Sequence, residues 1–426
     1  MWCYLRGVFL AALVALGATS QAQAQKALTW DEVKVRFEAN NPTLGAGQIG
    51  VEESKANEIT AYLRPNPQFS IGVDQIGNTT QKSPFSAATL TASANYLHER
   101  AHKRELRQES AQKATAIAVS SQSDLERNLI FNLRSAFVGV LQAKAVLRVA
   151  TDNLEYWDKE LKISKDRLDA GDIARIDFDR LDLQRVQFES DLQTAEVNLR
   201  TSKIQLLMLL NDKTPIDDFD VLGLYEYNEP LAPLDQFRQT AMENRPDLKS
   251  AVQAVDKAKT DHQLAVANGS TDPTLNVDVG VPAISQAYQS YSPPLREYVG
   301  AGFTIPLRVF DRNQGEKLRT QLDIDRNQKL LDATQAQVFN DVDSAYATVN
   351  SNLILLRPYK AKYLSEAEQV RDTIKFSYEH GGASLLDFLD AQKEYRDLEV
   401  NYLNLIGSYL IAAGQLNLAV GREVLQ

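Results

Sequence analysis

The side chains best suited to chemistry in this sequence are two histidines, His98 and His102, spaced four residues apart. On a helix that spacing places both imidazoles on one face, where they could bind a metal ion. Three basic residues, Arg100, Lys103 and Arg104, surround them, so we favour a solvated basic patch that faces either membrane headgroups or the wall of a lumen. The sequence has no recognisable nucleophile motif and no glycine-rich phosphate loop. It therefore predicts neither an enzyme nor a site for a cofactor or a metal.

The first 24 residues predict a signal peptide. Arg6 precedes an apolar run from Val8 to Leu16 that is too short to span a bilayer, and Ala22-Gln23-Ala24 fits a small-x-small cleavage site. An uncleaved anchor is the alternative. The only cysteine, Cys3, lies before the apolar run, so the mature chain is expected to have no disulfide and no thiolate metal site. No other stretch approaches eighteen consecutive apolar residues, which predicts no transmembrane helix. A net charge of −10 argues against a nucleic acid partner.

The chain contains an internal repeat. Asn-Asn-Pro-Thr-Leu at 40–44 recurs as Asn-Arg-Pro-Asp-Leu at 244–248, and the segment 167–178 recurs at 377–388. Each repeat is predicted to hold a helical stretch, two short strands, a very long helix, a glycine turn and a second long helix. The predicted divisions are a first repeat at 25–212, a linker at 213–233, a second repeat at 234–420 and a tail at 421–426.

Long helices are predicted to form most of each repeat. No proline occurs between Pro84 and Pro215, which allows a helix at about 99–168 that would run on the order of 100 Å. After each glycine turn the apolar residues follow a heptad spacing, which is typical of coiled-coil packing. Pro358 should kink or break the third long helix. The remaining long helices are predicted at about 175–212, 312–379 and 385–420.

Four short segments alternate apolar and polar residues with a period of two. They lie at about 67–75, 88–97, 273–281 and 298–308. Each is close to the length that crosses a bilayer when tilted, with its apolar face toward lipid and its polar face toward water. A pair of hairpins in a soluble sheet is the alternative, but the export signal and the long helices that follow the hairpins favour a barrel. Because four strands cannot close a barrel and lipid does not tolerate an open edge, two or three chains must share one barrel.

With these features the chain resembles the TolC family of outer-membrane efflux proteins. The most specific matches are Tyr-Glu-His-Gly at 378–381 followed by Leu-Asp-Phe-Leu-Asp-Ala at 386–391, and the corresponding segment of the first repeat at 167–178. The segment 304–312 resembles the strand-to-helix entry of family members that serve heavy-metal and small-molecule efflux pumps. The resemblance implies a mainly α fold with a small β part, in which three chains build a twelve-stranded β-barrel in the outer membrane and a coiled-coil α-barrel tunnel in the periplasm. The linker would lie in the equatorial region of that tunnel. The resemblance also implies docking with a periplasmic adaptor protein and an inner-membrane pump such as an RND transporter.

The resemblance further assigns roles at the turns between the long helices. Asp387, Asp390 and Tyr378 match family residues that line the closed periplasmic entrance, and three chains would place six carboxylates there. Such a ring attracts cations, repels anions and can bind a blocking cation. The periplasmic tip, where an adaptor docks, would be formed by the turns and the acidic residue after the first of them: Gly171, Asp177, Gly381 and Gly382.

The entrance is not expected to be chemically symmetric between the repeats. Where relatives carry a basic residue after the second turn, this chain has Ala383, so the gate-closing ion pairs of the family would need other partners. Arg175 and Arg180 are the candidates. Asp177 is explained most simply as an acidic residue that favours the positive end of its helix dipole.

These features together predict a passive exit duct that carries small molecules or metal ions across the outer membrane. An exit duct for type I protein secretion is an alternative with the same architecture. The alternative from another class is a periplasmic coiled-coil scaffold or adaptor without a pore, which would not need four strands with a lipid-facing side.

Overall fold

A computed structural model describes residues 27–74, 89–282 and 297–425. The predicted signal peptide lies outside the described residues, as do most of the polar segments 75–87 and 282–297, which are expected to join the strands of the two hairpins as external loops. In the first repeat the helices α1 (Trp30–Asn40) and α2 (Pro42–Tyr62) are followed by the strands β1 (Gln68–Asp74) and β2 (Thr89–Leu97). The long helices α3 (Lys103–Ala170) and α4 (Arg175–Leu209) complete it.

The second repeat has the same order of elements. Its first half is α5 (Leu234–Asn244), α6 (Pro246–Asn268), β3 (Thr274–Pro282) and β4 (Tyr298–Thr304). Its second half is α7 (Gln314–Pro358), α8 (Leu364–Glu379) and α9 (Leu385–Val420). The prolines at 42 and 246 open α2 and α6, where the missing N–H of proline removes no helical hydrogen bond. The fold is therefore mainly α with a small β part, as the sequence predicted.

The four strands form one antiparallel sheet in the order β1-β2-β3-β4. The register aligns the two faces that the alternation predicted. Ile71, Ala92, Val279 and Val299 form one row across the apolar face, and Ser70, Ser93, Asp278 and Gly300 form one row across the polar face. The large apolar side chains are exposed; for example, Val299 is 77% exposed. Both edges of the sheet, β1 and β4, lack a pairing strand within the described part of the chain.

Two elements are shorter than the sequence suggested. The fourth strand was predicted to reach residue 308 but ends at Thr304, and Pro306, which has no N–H to donate to a ladder, follows it closely. The first long helix was predicted from about residue 99 but begins at Lys103, because Ala101 and His102 have φ angles of 57° and 55°. Such left-handed backbone cannot belong to an α-helix.

The third long helix is interrupted where proline predicted a kink or break. Helix α7 ends at Pro358, and a π-helical turn at Tyr359–Tyr363 separates it from α8. Proline cannot donate a helical hydrogen bond and its ring crowds the preceding turn.

Two of the described helices, α3 and α9, contain 18-residue stretches long and apolar enough to cross a membrane by composition alone, which the sequence analysis did not anticipate. Apolar residues in these helices, such as Leu133 and Leu416, are buried in the protein, so composition alone carries little weight here.

The chain divides into two compact units, and each unit takes segments from both repeats. Unit 1 consists of residues up to Asn40, Ser135–Glu226 and Tyr359–Gly407. In this unit the predicted linker is tied to the N-terminal segment by a parallel bridge between Leu28 and Val221. The ammonium group of Lys144 also binds the carboxylate of Asp220 at 2.7 Å.

Unit 2 consists of Asn41–Arg134, Tyr227–Pro358 and Ser408–Gln426. It contains the sheet, and α5 and α6 pack on α7 within it. The buried guanidinium of Arg245 pairs with Asp247 and Asp341 and donates to the carbonyl oxygen of Ala419 near the end of α9. A cationic donor at a helix C-terminus satisfies carbonyl groups that have no partner within the helix.

Candidate functional site

The two glycine turns that carry the predicted site have the same backbone geometry. At the first turn, the N–H of Gly171 donates to the carbonyl of Leu168 at 3.0 Å, and the N–H of Asp172 donates to Arg167 at 2.8 Å. At the second turn, Gly381 and Gly382 donate in the same pattern to the residues three and five positions before them. Gly171 and Gly381 have φ angles of 85° and 77°, which glycine adopts without strain. Both turns are therefore Schellman motifs that end one long helix and allow the chain to reverse.

The helices that follow the turns start differently. In the second repeat the hydroxyl and N–H of Ser384 both donate to the carboxylate of Asp387, at 2.7 and 3.0 Å, and the N–H of Asp387 donates back to the Ser384 hydroxyl. This reciprocal pair resembles a capping box, with Asp387 in place of glutamate. The hydrogen bond from the Ser384 hydroxyl, followed by that from its N–H, holds the pKa of Asp387 below its usual range. In the first repeat Ala174 precedes α4 and offers no side-chain cap.

The carboxylates predicted to line an entrance are open to solvent. Asp387 and Asp390 are both exposed, and their spacing of three residues puts them on neighbouring positions of the α9 surface. Among the described residues, neither has a basic side chain within ion-pair distance. Asp387 is therefore charged and hydrogen-bonded to its own helix start, while its charge is not compensated by a cation.

Tyr378 belongs to an aromatic stack in the interior of unit 1. Its ring lies parallel to that of Phe388, with the ring centroids 5.2 Å apart. Phe388 also stacks on Trp157, with centroids 6.0 Å apart, and Trp157 in turn stacks on Phe188, with centroids 5.0 Å apart. Trp157 is fully buried, and its indole N–H donates to the carbonyl of Leu181 at 3.2 Å. The stack therefore joins α3, α4, α8 and α9 just above the two turns.

A basic residue that the sequence analysis did not select connects the two repeats. The guanidinium of Arg167, in the last turn of α3, lies 5.4 Å from the ring centre of Tyr378 and donates to the carbonyl of Glu379 at 3.3 Å. Burial raises the pKa of Tyr378, and the nearby charge of Arg167 opposes that rise while the carboxylate of Asp177 adds to it. The Tyr378 hydroxyl is buried and has no hydrogen-bond partner among the described residues.

The two predicted basic partners lie elsewhere on the first repeat. Arg175 pairs with Asp179, one turn further along its own helix, at 2.9 Å. Arg180 is exposed and has no carboxylate within ion-pair distance in the part of the chain described here. In this chain Arg167 is the basic residue that links the last turn of α3 to the last turn of α8 through Tyr378 and the carbonyl of Glu379. Its sequence signal was weak, because a single arginine at the end of a helix is common.

The two histidines considered as metal ligands do not share a helix face, since both precede α3. Lys103, which had been assigned to a solvated basic patch, is instead buried and binds the carboxylate of Asp272 at 2.6 Å. No group of three or more histidine, cysteine, aspartate or glutamate side chains with metal-binding geometry occurs among the residues that the structure describes.

Comparison with known proteins finds similarity to outer-membrane channels. The model of the family described as "Outer membrane efflux protein" matches residues 237–422. The cobalt-zinc-cadmium resistance protein CzcC of Cupriavidus metallidurans is 23% identical over 388 residues, which cover 90% of this chain and 87% of CzcC. The outer membrane protein TolC of Vibrio cholerae is 22% identical over 428 residues, covering 96% of this chain and 93% of TolC. A crystal structure of CusC, described in terms of transmembrane channel formation, superposes with a TM-score of 0.75 at 16% identity and covers 92% of each chain.

A single antiparallel sheet with an exposed apolar face, together with long helices that reverse at glycine turns, is the fold that this chain shares with the CusC channel structure. In sequence the chain is similar to the TolC family of outer-membrane efflux proteins, through the family match at residues 237–422 and through CzcC and TolC. The family resemblance, the mainly α fold and the outer-membrane location predicted from the sequence are thereby confirmed.

Proposed function

We propose that three copies of this chain form a passive exit duct of a tripartite efflux system, fed by a periplasmic adaptor and an inner-membrane pump. The observation that carries the proposal is the four-stranded sheet, whose apolar face is exposed and whose two edges are unpaired in the chain. In lipid those edges must pair, and copies of the same sheet offer matching edges. Three sheets give twelve strands, which leave room for a conduit, whereas the interior of an eight-stranded barrel is largely filled by side chains.

The turns of unit 1 form the gate in this proposal. Asp387 and Asp390 present uncompensated charge at the start of α9, and Tyr378 and Arg167 hold the ends of α8 and α3 together behind it. Three copies would bring six such carboxylates around one opening. A narrow opening ringed by carboxylates favours cations over anions. The glycine turns at 171 and 381 would then form the surface on which the adaptor docks.

A metal ion is the substrate that we propose for the duct. CzcC, whose name describes resistance to cobalt, zinc and cadmium, is similar over nearly the whole chain, which supports this choice over a protein substrate. A strain that lacks the gene should become more sensitive to these metals, and the wild-type gene should restore growth. Unchanged growth on the metals, together with sensitivity to organic toxins, would redirect the proposal to small molecules.

The gate is tested best by separating the charge of Asp387 from its role in the helix cap. Asp387→Asn removes the charge and keeps a carbonyl oxygen that can accept the Ser384 hydrogen bonds, whereas Ser384→Ala removes the cap partner and keeps the charge. In planar bilayers we expect Asp387→Asn combined with Asp390→Asn to lower the preference for cations and to weaken block by divalent cations. Ser384→Ala should retain both properties. If the wild type, the double Asn variant and Ser384→Ala had equal cation selectivity and equal divalent block, the gate assignment would be refuted, while the proposal of a duct would stand.

A further inference from the structure

The segment that follows the last strand exposes more apolar surface than a loop at a water-facing edge should. In the stretch Ile305–Phe310, Leu307 is 84% exposed and Phe310 is 92% exposed, which is the largest value for an apolar side chain in the described residues. Val309 is exposed as well. We call these six residues the collar segment.

The collar segment continues the lipid-facing side of the sheet. Apolar residues occupy every second position from Val299 to Leu307, although pairing with β3 stops at Thr304. Successive side chains of an extended chain point to opposite sides, so Ile305 and Leu307 continue the apolar face of β4 past its end. A bend at residues 309 and 310, where the N–H of Val309 donates to the carbonyl of Leu307 at 3.0 Å, ends this alternation, and Phe310 belongs to the collar segment because of its exposure. The segment is also held in place, because the side-chain amide of Gln314 donates to the carbonyl of Phe310 at 3.2 Å.

Two arginines accompany the apolar side chains. Arg308 lies within the collar segment and Arg312 lies two residues beyond it, and neither has a carboxylate within ion-pair distance in the described chain. The Nε atom of Arg308 is buried and has no hydrogen-bond partner among the described residues. Guanidinium groups bind phosphate through a planar fork of N–H donors, and long basic side chains at a membrane surface reach the headgroups while their stems stay in the apolar layer.

We propose that the collar segment anchors the protein in the phospholipid leaflet that faces the periplasm. Leu307 and Phe310 insert between acyl chains at the boundary of the leaflet, and Arg308 and Arg312 bind lipid phosphate groups. The end of β4 that leads into α7 is the end from which the periplasmic helices continue, which assigns the segment to that leaflet. The inference rests on the proposed position of the sheet in the bilayer, and it extends the contact with lipid beyond the strands.

Single-cysteine labelling can test this, because the only cysteine of the sequence, Cys3, lies in the predicted signal peptide. Phe310→Cys, Val299→Cys and Leu224→Cys each place one thiol at an exposed apolar position, and Leu224, which is 86% exposed, belongs to unit 1. Each variant is labelled with an environment-sensitive fluorophore and reconstituted in phosphatidylcholine vesicles that carry nitroxide-labelled lipid. We expect blue-shifted emission and loss of fluorescence at positions 310 and 299, and neither effect at 224.

The outcomes separate the collar from the barrel. Quenching at 299 without quenching at 310 would show that the segment is covered by protein, such as a second copy at the β4 edge, and would overturn the inference alone. Absence of quenching at both positions would overturn the proposed location of the sheet as well.

For the headgroup contact, Arg308→Gln combined with Arg312→Gln should reduce the amount of phospholipid that remains bound to the detergent-purified protein. An unchanged amount would refute the phosphate contact.

Discussion

Replacing Trp157 by alanine should loosen the end of unit 1 that carries the glycine turns. Trp157 is fully buried on α3, and its ring is the middle member of the stack that includes Phe188 of α4 and Phe388 of α9. Removing the ring leaves a cavity bordered by three helices. Substitutions of a buried aromatic residue by alanine cost about 3–5 kcal/mol. Since the site joins several helices that cannot all collapse into the space, the upper part of that range is expected.

A matched variant separates the ring from its hydrogen bond. Trp157→Phe keeps an aromatic ring between Phe188 and Phe388 but loses the donor to the carbonyl of Leu181. That carbonyl lies within α4 and retains its helical partner, so the loss should cost about 1 kcal/mol. The two variants should therefore differ by at least ~2 kcal/mol, and most of the stabilisation should be assigned to the stacked ring.

Hydrogen exchange measured by mass spectrometry on the detergent-solubilised protein gives a local readout. A loss of about 4 kcal/mol in local stability corresponds to roughly 1,000-fold faster exchange where local opening controls the rate. We expect this acceleration in peptides that cover the start of α4 and the start of α9, and unchanged exchange in the strands of unit 2. If Trp157→Ala left these peptides as protected as in the wild type, the stack would not be holding the helices together. Equal acceleration in Trp157→Phe would assign the effect to the hydrogen bond instead.

Three further predictions concern the turns and the sheet. Gly381→Ala should destabilise unit 1 by about 1 kcal/mol, because Gly381 has a left-handed φ of 77°. Gly382→Ala should cost less, because Gly382 has an ordinary φ, and equal melting temperatures of the two variants would contradict this. Asp278→Asn should reduce the cation preference of the open pore, because Asp278 is the ionisable residue in the middle of the polar face; an unchanged reversal potential would exclude it. The pKa of Asp387 is lowered, so its charge and its contribution to the helix cap should persist as the pH falls to about 5. Both should be lost only below the ordinary aspartate pKa of ~4. Loss of divalent block already near neutral pH would refute this.

Patterns that repeat along the chain predicted most of the fold. The glycine turns were visible because glycine occurs at the same point of both repeats, and the coiled-coil helices were visible because the heptad spacing begins at Phe178 and Phe388 alike. In the structure Phe388 and its heptad successors Ala391 and Leu416 are buried. Patterns of this kind survive in a single sequence because they depend on local backbone geometry and on one periodic contact surface.

Features that depend on contacts between distant segments could not be predicted in the same way. The start of α3 is set by two residues in left-handed backbone and by the ion pair of Lys103 with Asp272, which are 169 positions apart. A local reading assigned Lys103 to a solvated patch. Arg167 was missed for the same reason, since its partners, Tyr378 and the carbonyl of Glu379, lie in the other repeat. The Ser384–Asp387 cap was not predicted either, although a serine three residues before an acidic residue is a local sequence signal for such a cap.

The two turns combine one backbone geometry with two chemistries, and this difference bears on how a gate could work. Both turns are Schellman motifs, but only the second is followed by a side-chain cap, which fixes Asp387 at the first turn of α9. The corresponding position after the first turn is Asp177, which follows Ala174 and has no cap partner there. An alanine substitution at 387 would remove the charge and the cap together, so a change in conductance could not be assigned to either. Only variants that separate the two, such as Asp387→Asn and Ser384→Ala, can decide whether the carboxylate acts on passing ions or on the helix that carries it.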